Sequence, residues 1–297
     1  MAEKSYDKIS PTAIDVAFVR AHFTNMPFAR EIFQLARKFA HIPLYERVPS
    51  SILRLAIFFP HSVESVAGLE IRYLSTNMIL ETLGETWAIV EIAAGISARS
   101  LEWAGRQTHY IETDLPEMLE TKQSIFNTIA SNKGIEDNSN HAFMPLNALN
   151  SSDWNALGEK YFAGRNLKIA VVNEGLLGYL SPEEKRQLRD NIRNFLTMFA
   201  AEGMWLSPDF VNQPSYNLTW ISKRIQRNTE RKTMRPLDRF SDRGEIVNFL
   251  QQGGFRVDFP PNDEILDKLT CIPKMHLKRE RVRPLLSLHQ TCCAKLM

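Results

Sequence analysis

Four carboxylates and one glycine stand where their types and spacing could do chemistry. An apolar run at 87–90 ends in Glu91 and is followed by the small-residue turn Ala93-Ala94-Gly95. Gly95 tolerates any φ, so backbone there lets a ligand approach closely. Glu112 and Asp114 lie seventeen and nineteen positions beyond it, close to the offset of about 20 at which an acid grips ribose hydroxyls. Glu174 stands two residues past the largely apolar run 167–172, where a charge is costly unless partnered. Together these groups suit an adenosine-type ligand. Spacing leaves the nucleotide open. Laid on G-x-G-x-x-G, residues 93–98 keep only the middle glycine, so NAD is poorly matched, and an ordinary buried strand with a glycine turn accounts for these residues equally well.

The elements needed to position such groups are legible in the periodicity. Before Trp87 apolar residues recur at three- and four-residue steps over 11–23, 27–40, 50–59 and 63–83, punctuated by Pro27, Pro43, Pro49 and Pro60. About 80 residues of helix therefore precede the first strand. Beyond it strands alternate with helices, the pattern of a parallel sheet covered on both faces. A helix opens at Ser97. Asp114 and Pro116 open another that runs to about Ile129, with the acid placed to cap it. A short strand is expected at 142–145, a helix at 151–162 capped by Ser151 or Ser152, and a strand at 167–172 that carries Glu174 to the ligand edge. Ser181-Pro182-Glu183-Glu184 is a full capping box opening a helix to about Phe199. Strands at 203–207, 255–259 and 286–296 and a helix from Ser241 complete the pattern.

Three blocks carry a resemblance: E-x-A-A-G-x-S-x-R from Glu91, Y-I-E-T-D-L-P from Tyr110, and N-E-G-L-L-G-Y-L-S-P-E-E from Asn173. In this order and spacing the chain resembles the leucine carboxyl methyltransferase family over most of its length, from Ser10 to about Phe259. That family comprises class I O-methyltransferases dependent on S-adenosyl-L-methionine (SAM) and includes a bacterial branch associated with polyketide methylation. The resemblance implies an α/β fold with a doubly wound, mostly parallel seven-stranded sheet. It implies an N-terminal helical cover over 1–84 and a Rossmann-like SAM-binding domain over 85–297, with a lid insertion near 212–243. It also implies a cofactor-binding set of Arg72, Glu91, Gly95, Glu112, Asp114, Asn147, Ala148 and Glu174. Within that set Asp114 matches the acid on the cofactor ribose, with Glu112 as the alternative. Glu174 matches a cofactor-contacting glutamate, and Arg72 matches an arginine whose planar guanidinium clamps the methionine carboxylate. Asn147 stands where the family has an aspartate facing the adenine. Tyr179 is placed in the acceptor pocket, and Lys8 and Arg20 lie in or near the N-terminal S-P-T-A signature.

Methyl transfer from a sulfonium depends mainly on holding donor and acceptor in line, so binders matter more than covalent catalysts. A carboxylate acceptor is already ionised near pH 7, whereas a hydroxyl wants a base within reach. None of the seven histidines is placed by sequence to serve, which favours a carboxylate. A protein C-terminus and a SAM-binding module without turnover are the alternatives. A hydrolase nucleophile elbow begins well at Gly95-Ile96-Ser97, but the second glycine of G-x-S-x-G is replaced by Arg99.

The 297 residues, 44% hydrophobic and 24% charged, suffice for a full core. A formal net charge of +2 supplies no field for nucleic acid or anionic membrane. The basic residues Lys223, Arg224, Arg227, Arg231, Lys232 and Arg235 are interspersed with Glu230 and Asp238, as in a solvated face or a lid over an anionic substrate. Without a signal-peptide core or a bilayer-length apolar run, a cytoplasmic location is expected. Cys271, Cys292 and Cys293 lack C-x-x-C spacing, so no metal is expected and the thiols are read as inert. The expected partner is a small-molecule acceptor. Oligomeric state is not readable.

Overall fold

The computed structural model describes residues 11–38, 60–136, 140–210, 227, 230–231 and 235–297. Three helices come first: α1 (Pro11–Phe23), α2 (Ala29–Ala36) and α3 (Pro60–Leu80). The helix expected at 50–59 lies outside the described residues, as do Lys8 and most of 212–243. Then follow β1 (Trp87–Ile92), α4 (Arg99–Trp103), β2 (Tyr110–Asp114), α5 (Pro116–Lys133), β3 (His141–Pro145), α6 (Ser151–Tyr161), β4 (Lys168–Asn173), a 3-10 turn (Leu177–Tyr179), α7 (Pro182–Phe199) and β5 (Glu202–Ser207). The chain ends with α8 (Arg243–Gln252), β6 (Phe255–Asp258), the short helices α9 (Ile265–Lys268) and α10 (Cys271–Lys274), α11 (Arg279–Leu288) and β7 (Cys292–Leu296).

The seven strands form one sheet in the order β3-β2-β1-β4-β5-β7-β6. β1 to β5 are parallel, and β7 runs antiparallel to both β5 and β6. Strands buried on both faces are nearly continuous apolar runs, and all six residues of β1 are buried, Glu91 included. Ala88, Val90 and Ile92 pack into the core beneath α6 and α7, with Trp154, Leu188 and Phe195. Trp87 and Ile89 face the opposite way, toward Leu80 of α3. Because the chain reverses direction across the sheet between β1 and β4, their carboxyl ends open the crevice in which doubly wound folds bind ligands.

Several boundaries differ from the sequence reading, each for a local reason. The helix expected at Ser97 starts at Arg99, because Ala93 (φ 49°) and Gly95 (φ 53°) are both left-handed and the chain needs residues 93–98 to turn. α5 runs past Ile129 to Lys133, where Gly134 in the left-handed region ends it. α6 is capped by Asn150, whose side chain accepts from the Ser152 N–H, and not by Ser151 or Ser152. α8 starts at Arg243, capped by Asp242. The strand expected over 286–296 is helical to Leu288, since Val282, Leu285 and Leu286 form a buried helical stripe against α3. Only 292–296 pairs with the sheet.

Candidate functional site

The turn after β1 sets the floor of the crevice. Asp114, the last residue of β2, accepts from the Gly95 N–H at 2.8 Å through Oδ2 and from the Leu115 N–H at 2.8 Å through Oδ1. It does not cap α5, as expected from sequence: Leu115 holds the cap position and makes no side-chain bond there. Burial raises the Asp114 pKa, and the two N–H bonds only partly oppose that. A side chain built on Gly95 would meet no described heavy atom within 4 Å, so the turn opens onto free space beside the acid.

The second acid is held by cations from three elements. Glu174, immediately after β4, accepts from Arg20 of α1 at 2.6 Å and from Arg99 of α4 at 3.0 Å. Burial works to raise its pKa, but Arg20, Arg99 and Arg72 override this and hold it below the ordinary carboxylate value. Arg99 is fully buried and also binds Glu91 and, at 2.7 Å, Asn77 of α3. The Arg20 and Arg99 guanidiniums both lie against Tyr73, 5.1 and 4.7 Å from its ring centre, and Tyr73 donates to Glu102. Arg72, one residue earlier on α3, donates to Asp209, just beyond β5. Residues of α1 and α3 therefore meet the carboxyl ends of β4 and β5 directly.

The sequence-derived set divides by position. Arg72, Gly95, Asp114 and Glu174 come to the crevice. Glu91 and Glu112 are instead buried within the sheet, back from its open edge. Glu91 is bound by Arg99 and, at 2.6 Å, by Tyr110. Glu112 pairs with Lys122 at 2.5 Å and His141 at 3.0 Å. Burial would raise its pKa, yet these two partners keep it below the ordinary value. Asn147 is exposed at the end of β3, where its Oδ1 accepts from Leu149 N–H and its own N–H donates to Asp153. The Ala148 carbonyl anchors Trp154 and Asn191. Tyr179 is half-buried, hydrogen-bonded to Thr12 of α1, and burial raises its pKa.

Sequence reasoning missed Asn77, Tyr73, Arg99 as a hub, and Asp209. Arg99 lay inside the quoted E-x-A-A-G-x-S-x-R block. Asp209 follows an apolar strand as Glu174 does, and the same argument from the cost of a buried charge finds it. Ser97, the hydrolase alternative, accepts from Arg99 N–H through Oγ and from Lys122 through its carbonyl, and its strand-to-helix turn carries buried Arg99 where an elbow needs glycine. Arg235 of the basic segment pairs with Glu184.

SAM presents ribose hydroxyls, an ammonium and a carboxylate, and the crevice offers a group for each. Asp114 borders open space, Glu174 is a largely buried acid, and Arg72 brings a guanidinium to the same edge, beside Arg20, whose buried Nε has no hydrogen-bond partner among the described residues. A seven-stranded sheet with this order and this crevice at its switch point defines the class I methyltransferase fold. Residues 71–193 match the leucine carboxyl methyltransferase family model. The chain is 27% identical over 224 residues to proteins of Mycobacterium ulcerans (strain Agy99) and Mycobacterium marinum (strain ATCC BAA-535 / M) that are named as SAM-dependent methyltransferases, covering 70% of this chain and 72% of each relative. Among solved structures, an O-methyltransferase family protein from Burkholderia thailandensis superposes with a TM-score of 0.47 at 12% identity, covering 96% of this chain and 71% of that one. Human N-acetylserotonin methyltransferase in complex with SAM gives 0.44 at 10% identity, covering 94% and 70%. The chain is a SAM-dependent methyltransferase that is similar, over residues 71–193, to the leucine carboxyl methyltransferase family.

Proposed function

We propose that this enzyme methylates a carboxylate of a small molecule, with Asp114 receiving the ribose hydroxyls, Glu174 the ammonium and Arg72 the carboxylate of SAM. Gly95 leaves room for the cofactor beside the β1 turn, and Asn147 and Ala148 border its adenine end. When bound, SAM supplies a methyl group on a sulfonium that an in-line oxygen can take. The chain's own part is to orient both molecules and to exclude water, with α1 and α3 as an N-terminal cover.

One observation carries the choice of acceptor. The two ionisable groups beyond β4 are set against taking a proton: three arginines hold Glu174 ionised, and burial keeps the Tyr179 phenol protonated. A carboxylic acid arrives already ionised near pH 7, and the guanidiniums of Arg20 and Arg72 favour its charge. A hydroxyl acceptor would require a base that this arrangement withholds. Tyr179, bonded to Thr12, is the donor best placed to orient the acceptor.

Incubation with labelled SAM and a panel of carboxylic acids, phenols and peptide C-termini, read by mass spectrometry before and after mild alkali, tests this. The expected product is a methyl ester of a small acid that alkali cleaves. An alkali-stable methyl ether as the main product would overturn the acceptor assignment, and a methylated peptide would replace the small molecule with a protein.

A further inference from the structure

We infer that Asp209 is a positioning residue that locks the two groups recognising the amino-acid tail of SAM into one preassembled unit. The role rests on the cofactor reading above. The Asp209 side chain is 3% exposed and gathers five donors on its two oxygens. Oδ1 accepts from Arg72 Nη2 and, at 2.8 Å, from Gly175 N–H. Oδ2 accepts from Asn173 Nδ2 at 2.7 Å, Leu176 N–H at 2.7 Å and Leu177 N–H at 3.1 Å. Asn173 is itself fixed from the core by Trp205 Nε1 at 2.7 Å, and the Asp209 N–H is held by Ser207 Oγ at 3.1 Å.

The consequence is geometric. Three consecutive N–H groups after Glu174 converge on one carboxylate, so the backbone carrying Glu174 is tied down immediately beyond that residue. The same carboxylate grips the guanidinium of Arg72 from a different element, α3, at the carboxyl edge of the sheet. A charge-assisted bond of this kind sets guanidinium direction as well as energy. Asp209 makes the separation between Glu174 and Arg72 a property of the folded chain, not of whatever binds there. An ammonium and a carboxylate on one carbon then meet two receptors held at a fixed separation.

Two ligands distinguish this role from general structural support. S-adenosylhomocysteine carries the amino-acid tail, and 5′-methylthioadenosine keeps the adenine, ribose and thioether without it. By isothermal titration, Asp209→Asn should weaken S-adenosylhomocysteine by about tenfold, the worth of one charge-assisted bond, while leaving methylthioadenosine within about twofold. Asp209→Glu keeps the charge but moves it by one methylene, and should show the same tail-selective loss if the asparagine variant fails to fold. On an Arg72→Gln background, Asp209→Asn should add less than about twofold, since a residue acting through a lost partner has little left to lose. Equal loss for both ligands, no loss for S-adenosylhomocysteine, or full additivity with Arg72→Gln would each overturn the role. A wild-type chain that bound neither ligand would instead sink the cofactor reading on which it rests.

Discussion

Asp114 and Glu112 leave the same strand two residues apart and on the same side of the pleat, yet their surroundings give them different tasks. Asp114 lies at the strand end, beside the open side of Gly95 and bonded, among the described residues, to two backbone N–H groups. Asp114→Ala should therefore weaken SAM binding by about tenfold or more in a calorimetric titration, with little change in the urea midpoint. Glu112 sits one pleat deeper, enclosed with Lys122 and His141. Removing one partner strands the others in a low-dielectric interior, so Glu112→Gln should lower unfolding free energy by about 3–5 kcal/mol in urea while the folded fraction keeps its SAM affinity. The opposite pattern, with affinity lost at Glu112 and stability lost at Asp114, would reverse the two assignments.

At the scale of elements, helix ends fix the direction in which the crevice residues are presented. α7 follows the 3-10 turn that contains Tyr179, and its start is set by a complete capping box. The Ser181 hydroxyl accepts from Glu184 N–H at 3.2 Å, and the Glu184 carboxylate accepts from Ser181 N–H at 2.9 Å. Pro182 at the first helical position costs nothing there, because that N–H has no partner within the helix. Ser181→Ala should lower stability by about 1 kcal/mol, measured as a shift in urea midpoint without a change in slope, and SAM affinity should survive. The box was visible in four consecutive residues because its chemistry is local. Asp114 misled as a cap for the same reason: local spacing could not show that its oxygens turn back to the β1 loop and to its own neighbour Leu115.

At the scale of the whole molecule, His289 joins the C-terminal helix to the N-terminal cover. It caps α11, and its ring lies so close to Gly68 of α3 that an added Cβ would fall 2.6 Å from Nε2. Burial, with the Arg72 and Arg239 charges beside it, lowers its pKa from 6.5 to about 3. The folded state thus keeps the ring neutral where the unfolded chain takes up a proton. Its contribution to stability is complete above pH 6.5 and is lost progressively as pH falls toward 3. Glu174, lowered from 4.5 by its arginines, loses its contribution only at lower pH, as it protonates. Thermal melts from pH 7 to pH 5 should show the wild-type melting temperature falling more steeply than that of His289→Leu. Parallel slopes would show that His289 is not held neutral by the fold.

The sequence by itself determined the sheet class, the helical segment before it, the turn at Gly95 and the acids at the ends of β2 and β4. These follow from hydrophobic period, from the φ freedom of glycine and from the cost of a charge beside a buried strand, all of which act over a few residues. Tertiary structure decided which acids reach the crevice: Glu91 and Glu112 share the spacing and residue type of binders, but Arg99 and Lys122, eight and ten positions away in sequence, fold back to neutralise them. It also decided that Arg20, 154 residues from Glu174 in sequence, closes on it, and that Asp209 gathers donors from α3 and β4. Such pairings depend on where the α1, α3 and β5 ends arrive after the sheet has packed, and no local pattern encodes that.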